Sequence, residues 1–546
     1  MHFLFALLLF PLGEDLGSSG LFQALKRLQT TARVLYVADR PAGEDASALT
    51  YLSRGMGVEV ALLSLTRGED GSNRLTAHSG EALAGLRTLE LLKAAQYYGC
   101  EVRFTSAIAP AAGGRKLVDE VVAVIRQFRP HVLLSSREAL GVATEAFEAV
   151  AGDMVKPSKL YTRVDKETEP WTVRLETGDY DPVLGRSYAQ FGREGKLWHR
   201  SQDTSLPPVR PGSAPAFYRM VRHRMPLQAE KEQSFFQGLE KETVPPAELA
   251  QLAIQAAQGF SMTAPEVLAP VLARGVATAR ALSLHRTAAL WEKALNQSLG
   301  AELEANPSVT VAVPGQEVAV ALTFHLRTGT ITRTIGAPIP MVRGASIEGG
   351  LVGGIAPSGA ANQTKLELDP LASWEVTAQS QGLFRVIAAP DAMTTKAQWS
   401  RRTPDAKFYE IEDARLIARP LPRPPLLARA LYQVEGVPVA VETYVPLTLA
   451  PPVSVRVASR RAGVVQVVVR SFHPAPTTVT VRLDMANSPA AQPVRLEKTG
   501  EERTVTFRTA PGAAVKGAIA TWNGVDYREE FELVTYPGLD SVYIAR

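Results

Sequence analysis

Apolar positions in the N-terminal part of the chain follow two alternating periods. Continuous apolar runs at 34–38 and 58–65 are too short for helices and read as strands buried on both faces. Between them, 46–54 has helical composition, punctuated by Gly55 and Gly57. A short helix at 21–28 leads into the first strand. Leu83, Leu86, Leu91, Ala94, Ala95 and Tyr98 recur at helical spacing, and Gly99 stands at the C-cap position. Leu117, Val118, Val121, Val122, Ile125 and Phe128 mark a second amphipathic helix, stopped by Pro130. With strands at 101–105 and 131–135 and a helix at 142–150, the alternation predicts an α/β domain with a mainly parallel sheet. Ligands of such sheets sit outside the carboxyl ends of the strands. The loops 39–45 and 66–73 are therefore expected to share one mouth.

The period then changes. The proline-rich stretch 205–215 reads as a linker. Residues 217–303 read as mostly helical, for example Glu248, Leu249, Leu252, Ala253 and Ala256 after Pro245 and Pro246, and serve as a spacer. Beyond Asn306 the apolar period is two: Val309, Val311 and Val313, a turn at Pro314 and Gly315, then Val318, Val320 and Leu322. After the proline-rich 418–430, Val453, Val455, Val457, then Val465, Val467, Val469, then Val479, Val481, Leu483 continue it, with further strands at 502–507 and 518–522. Two β-sandwich modules fit this spacing.

At 546 residues the chain exceeds a single core, so several domains are expected. A net charge of +4, without an aromatic-interleaved basic stripe, argues against nucleic acid as partner. The single cysteine, Cys100, excludes a disulfide framework and a thiolate metal cluster, and it reads as a small buried core residue. The apolar run 3–12 is too short to span a bilayer and reads as the core of a signal peptide ending near residue 20. Its n-region has only His2 for charge, and no clean small-x-small cleavage site follows. The expected location is exported, periplasmic or extracellular, with no transmembrane anchor after signal removal.

Six stretches carry a family resemblance. ARVLYVADRPAGEDASALTYLSRGMGVEVALLSLTRGEDGSN, from residue 32 to residue 73, resembles the opening of the PIG-L (LmbE-like) N-acetylglucosamine deacetylase family: a strand, an alanine-histidine-proline-aspartate-aspartate-glutamate loop, a helix, and a strand ending in a Thr-Arg-Gly turn. GLRTLELLKAAQYYG, VVAVIRQFRPHVLLS, KPSKLYTRV and YDPVLGRSYAQFGREGKLWHRSQ are similar to later family segments in the right order. The closing TYPGLDSVYIAR resembles the end of the large bacterial members.

The resemblance implies a zinc-dependent N-deacetylase, yet the implied site is degenerate. The family's metal-binding histidine falls on Arg40, its general-base aspartate on Ala42, its metal-binding aspartate on Gly43, and its glutamate on Glu44. The glycine- and histidine-rich loop that supplies the third ligand is missing, because SREALGVATEAFEAV runs almost directly from strand into helix. His131 precedes its strand and so lies at the opposite end of the sheet. A hydrolytic zinc needs converging donors that lower the pKa of a bound water. Arg40 opposes it: unit charges 4 Å apart interact by ~4 kcal/mol at an effective dielectric of about 20, and a divalent ion feels roughly twice that. Candidate replacement ligands are Glu44, Asp45, Glu69, Asp70 and His78, although Asp45, just before Ala46, suits a helix N-cap. Arg67, Arg87 and His199 match family positions near the substrate and are the expected substrate-binding residues. Each also has a structural reading, as a salt-bridge or interior group. Ser135 and Ser136 lack a nucleophile-elbow motif, and no phosphate-binding glycine loop follows a strand.

The expected organisation is a signal peptide (1–20), a Rossmann-like three-layer α/β/α domain (21–205), a linker and helical segment (206–305), a β-rich domain (306–425) and a β-sandwich domain (426–546). The expected function is a PIG-L-family pseudoenzyme, without bound metal, that retains a pocket for an amino sugar or cell-envelope glycan. Two alternatives stay open: an active zinc-dependent N-acetyl-sugar deacetylase with replacement ligands, and a structural or adhesion protein acting through its β-sandwiches.

Overall fold

The computed structural model describes residues 17–545 apart from 110–112, 203–206, 227–228, 329–330, 337–363, 371–372, 404, 412, 414–415, 423 and 462. The predicted signal-peptide run 3–12 lies outside the described residues. Residues 17–20 of the predicted leader form the first turn of helix α1 (Gly17–Leu28), which packs into the folded body.

The predicted α/β order is observed: β1 (Arg33–Ala38), α2 (Ala46–Thr50), β2 (Glu59–Thr66), α3 (Glu81–Tyr98), β3 (Glu101–Ala107), α4 (Gly114–Phe128), β4 (Val132–Ser135), α5 (Leu140–Ala149) and β5 (Lys159–Val164). Then follow β6 (Val173–Glu176), the two-residue strands β7 (Tyr180–Asp181) and β8 (Arg186–Ser187), and α6 (Tyr188–Lys196). Asp45 caps α2 as expected, accepting from Ala48 N at 3.2 Å. Gly99 and Arg129 end α3 and α4 in the left-handed conformation.

The seven-stranded sheet has the order β3-β2-β1-β4-β5-β9-β6, and strands β1 to β5 are parallel. Its buried strands alternate between two cores. Val34, Tyr36 and Leu62 face the core shared with α2 and α3, while Leu35, Val37 and Leu63 face α4 and α5. This is the expected three-layer α/β/α fold. β9 (Pro215–His223) corrects the reading of 206–305 as linker and helices. It pairs antiparallel with β5 and β6, so the sheet extends past residue 205.

The helices α7 (Ala247–Gln258), α8 (Ala269–Ala281) and α9 (His285–Ser298) are present, but they are no spacer. Leu249, Leu272 and Trp291 share one core with α1 and with Val320, Phe324 and Ala428 of the first β module. In that module Glu317–Thr328 pairs with Glu302–Pro307, not with Val311–Ala312, which instead pairs with Thr448–Leu449. Leu426–Val434 pairs with Lys365–Pro370, so the expected boundary at 425 cuts through a sheet. The last sandwich has its own core of Val455, Val467, Val481 and Phe507. The closing hairpin, Phe531–Thr535 with Ser541–Ala545, leaves that core and returns to α3, where Val542 and Ile544 pack with Leu83 and Leu86. Among the described residues no helix is long and apolar enough to cross a membrane.

Candidate functional site

The strand order reverses between β1 and β4, and the loops after these strands define the mouth. After β1, Asp39 turns inward with its carboxylate buried, and burial raises its pKa above the ordinary range. Arg40 points outward, 62% exposed, with its Nε 3.5 Å from Asp39 Oδ2. Ala42 adopts φ 72°, a conformation that asparagine, aspartate and glycine tolerate better. At Gly43 a Cβ would stand 2.4 Å from Asp39 Oδ1 and 3.0 Å from the Arg40 carbonyl. The Asp39 carboxylate therefore occupies the space that a side chain at 43 would need.

Glu44 points the other way, into the domain. Its carboxylate accepts from Tyr98 Oη at 3.0 Å and lies 2.8 Å from His199 Nε2. Burial works against its ionisation, but the adjacent His199 outweighs it and holds the carboxyl down to about 2. Asp45 is held below its ordinary range despite burial, because Arg163, Ser47, the Ala48 amide and Tyr218 all favour the carboxylate. After β4, only residues 136–139 precede α5, and Ser136 Oγ accepts from Ala139 N at 3.2 Å.

The three expected substrate-binding residues are all interior. Arg67 is 2% exposed. Its guanidinium stacks 3.6 Å from the Trp399 ring centroid and 4.3 Å from that of Phe104. It donates to Thr88 Oγ1 and the Pro420 carbonyl, each at 2.9 Å, and to the Arg419 carbonyl at 3.1 Å. Arg87 is 3% exposed and binds the carbonyls of Gly68 and Ser72, clamping the loop after β2. His199 is fully buried against Glu44. The guanidinium donors of Arg67 and Arg87 are spent on protein acceptors, while His199 meets Glu44 through Nε2 and leaves Nδ1 buried without a partner.

The other candidates are likewise dispersed. Glu69 contacts Arg401 and Tyr409 from the first β module, and His78 Nδ1 lies 3.1 Å from Glu532 of the closing hairpin. His131 accepts from Arg33 N at 3.1 Å at the amino end of the sheet, as its position before β4 requires. Cys100 is half-buried, and burial pushes its thiol up. Sequence reasoning missed Asp39. The available signal was its place as the first polar residue after a buried parallel strand. It also missed the segment around Trp399, which meets Arg67 across more than three hundred residues of sequence.

A parallel sheet with this order, three layers and a crevice at the β1/β4 switch defines the class as a Rossmann-like α/β domain. Residues 44–142 match the family model PIG-L, described as GlcNAc-PI de-N-acetylase, so the chain carries a PIG-L-family domain. No curated relative matches the chain. Among solved structures, the chain is similar to the N,N'-diacetylchitobiose deacetylase of Pyrococcus horikoshii: 17% identity, 32% of this chain and 71% of that one, TM-score 0.26. A conserved protein from Thermus thermophilus gives 18% identity over 32% of this chain and 80% of that one, TM-score 0.25. The 4-carboxy-2-hydroxymuconate hydratase GalB of Pseudomonas putida gives 17% identity over 36% of this chain and all of that one, TM-score 0.26. At these scores the structural likenesses carry no functional weight.

The zinc that the family implies does not fit the residues at the mouth. Position 40 holds a cation, position 43 has no side chain, and Glu44 is turned to His199. Among the described residues no three His, Cys, Asp or Glu side chains converge as a metal-holding group.

Proposed function

We infer that this protein is a catalytically degenerate member of the PIG-L family, whose mouth takes an amino sugar or cell-envelope glycan without hydrolysing it. One observation carries the reading: the loop after β1 keeps its strained frame, with Ala42 at φ 72°, while offering neither a metal donor nor a base at 40, 42 or 43. Backbone strain of about 1–2 kcal/mol persists where the surrounding fold over-determines it. Ligand contact at the mouth falls to Arg40 and Asp39, since Arg67, Arg87 and His199 are interior. An exposed guanidinium there favours anionic or hydroxyl-rich partners over a metal ion.

The alternative, an active zinc-dependent deacetylase with replacement ligands, finds its best donor in Asp39, whose carboxylate fills the space beside Gly43. The two readings separate on purified full-length protein by elemental analysis and an assay of acetate release from an N-acetylglucosamine substrate. Substoichiometric zinc and no acetate release are expected. Stoichiometric zinc together with deacetylation overturns the pseudoenzyme reading.

A further inference from the structure

A large cleft lies at the other end of the sheet. A cleft of ≈ 700 Å³ opens at the amino ends of β2 and β3, walled by α1, the last turn of α3, α9 and residues 417–420. A second hollow of ≈ 430 Å³ continues it beneath β1 and shares Arg27, Glu59 and Leu290 with it. Clefts between packed units are the usual place for small-molecule sites.

Its lining is unlike a surface crevice. Gln23 is 8% exposed, and its Nε2 is buried without a hydrogen-bond partner. Gln96 Oε1, Arg103 Nε and, in the adjoining hollow, Arg33 Nε are buried and unpartnered as well. A buried polar group left unmade is costly, and native folds seldom keep several together. Five basic side chains line the larger cleft against three acidic ones. Arg27 and Arg54 are fixed at its wall by donating to the carbonyls of Gly99, Tyr97 and Gln96 at the end of α3. Beneath β1, Arg33 is depressed by burial and by the like charges of Arg286 and Arg129, with only Glu59 opposing. Among the described residues the lining holds no Phe, Tyr or Trp on which an uncharged sugar face could stack.

We propose that this amino-end cleft is a binding site for a small anionic sugar, its charge taken by the basic wall and its hydroxyls by Gln23 and Gln96. The site is separate from the PIG-L mouth and does not depend on how that mouth is read. Calorimetric titration of the full-length protein with glucuronate, glucose-6-phosphate, glucose and inorganic phosphate tests it. Both anionic sugars are expected to bind with Kd at or below about 1 mM, and glucose not to bind. Gln23→Leu replaces a buried, unsatisfied amide by an apolar group of similar size, so the variant is expected to fold as well as the parent. It should weaken the anionic sugars by about tenfold or more. The proposal is overturned if neither anionic sugar binds at about 10 mM. Full affinity in Gln23→Leu, or phosphate binding as tightly as glucose-6-phosphate, each overturns it too.

Discussion

The two ends of the seven-stranded sheet differ in how their polar groups are used. At the carboxyl end, buried charges meet protein partners: Glu44 meets His199, Asp45 meets Arg163, and Arg87 meets the carbonyls of Gly68 and Ser72. At the amino end, Gln23, Arg33 and Arg103 keep buried donor atoms with none. Buried unpartnered atoms occur at both ends, with Glu44 Oε2, His199 Nδ1 and Arg163 Nε at the carboxyl end. There each side chain is also held in an ion pair, whereas Gln23 and Arg33 line the amino-end hollows. The end that the family uses for chemistry is here the cohesive one.

Several changes test that contrast, the strongest first. His199→Ala strands the Glu44 carboxylate in the interior, and chemical denaturation should register a loss of about 3–5 kcal/mol. A loss below about 1 kcal/mol would show that the pair is not part of the cohesive end. Trp399→Ala removes the ring on which Arg67 rests, and a loss of about 3 kcal/mol is expected in the same measurement. An unchanged midpoint would mean that the β module does not brace the mouth.

Acid should act at both ends. Burial and Arg33 hold His131 down to about 4, below its ordinary 6.5. The unfolded chain then takes up the proton first, so stability is lost as pH falls from 6.5 towards 4. Glu44, held at about 2 against 4.5, contributes stability that is present above 4.5 and lost as pH falls towards 2. His131→Asn should flatten the unfolding free energy between 6.5 and about 4, and a curve parallel to the parent's assigns that slope elsewhere.

Arg40→His with Gly43→Asp restores two family donors in name only. A Cβ at 43 meets Asp39 Oδ1 at 2.4 Å, and the third donor's loop is missing. Mass spectrometry should find zinc still below stoichiometric, and a full equivalent would mean that the frame readily accepts the ion. The smallest effect is expected from Ala42→Gly, which relieves a positive φ and should stabilise the protein by about 0.5–1 kcal/mol in thermal unfolding. A destabilised Ala42→Gly variant would mean that the loop is not strained.

Most of the α/β domain was legible because its signals are local. Doubly buried strands read as apolar runs, α3 ends at Gly99, and Asp45 sits where a cap belongs. β9 was not legible: PAFYRMVRH has mixed burial and a helix-tolerant composition, and its identity as a strand comes from pairing with β5. The reach of the first β module to Tyr444 was hidden for the same reason, since Lys365–Pro370 finds its partner about sixty residues later. At the mouth, the losses at 40, 42 and 43 could be read directly. The interior fate of Arg67 could not, because Trp399 and the 419–420 carbonyls arrive from a distant part of the chain.

The closing hairpin has a consequence for biosynthesis. Gly85 lets Ile544 and Val542 approach α3 to within 3.2 and 3.3 Å of where a Cβ would be, so the cover of an early helix is made by a segment translated much later. The α/β domain therefore emerges from the ribosome before Val542 and Ile544 can cover Leu83 and Leu86. Chains stopped before residue 531 should be cleaved along α3 by a protease that leaves the full chain intact.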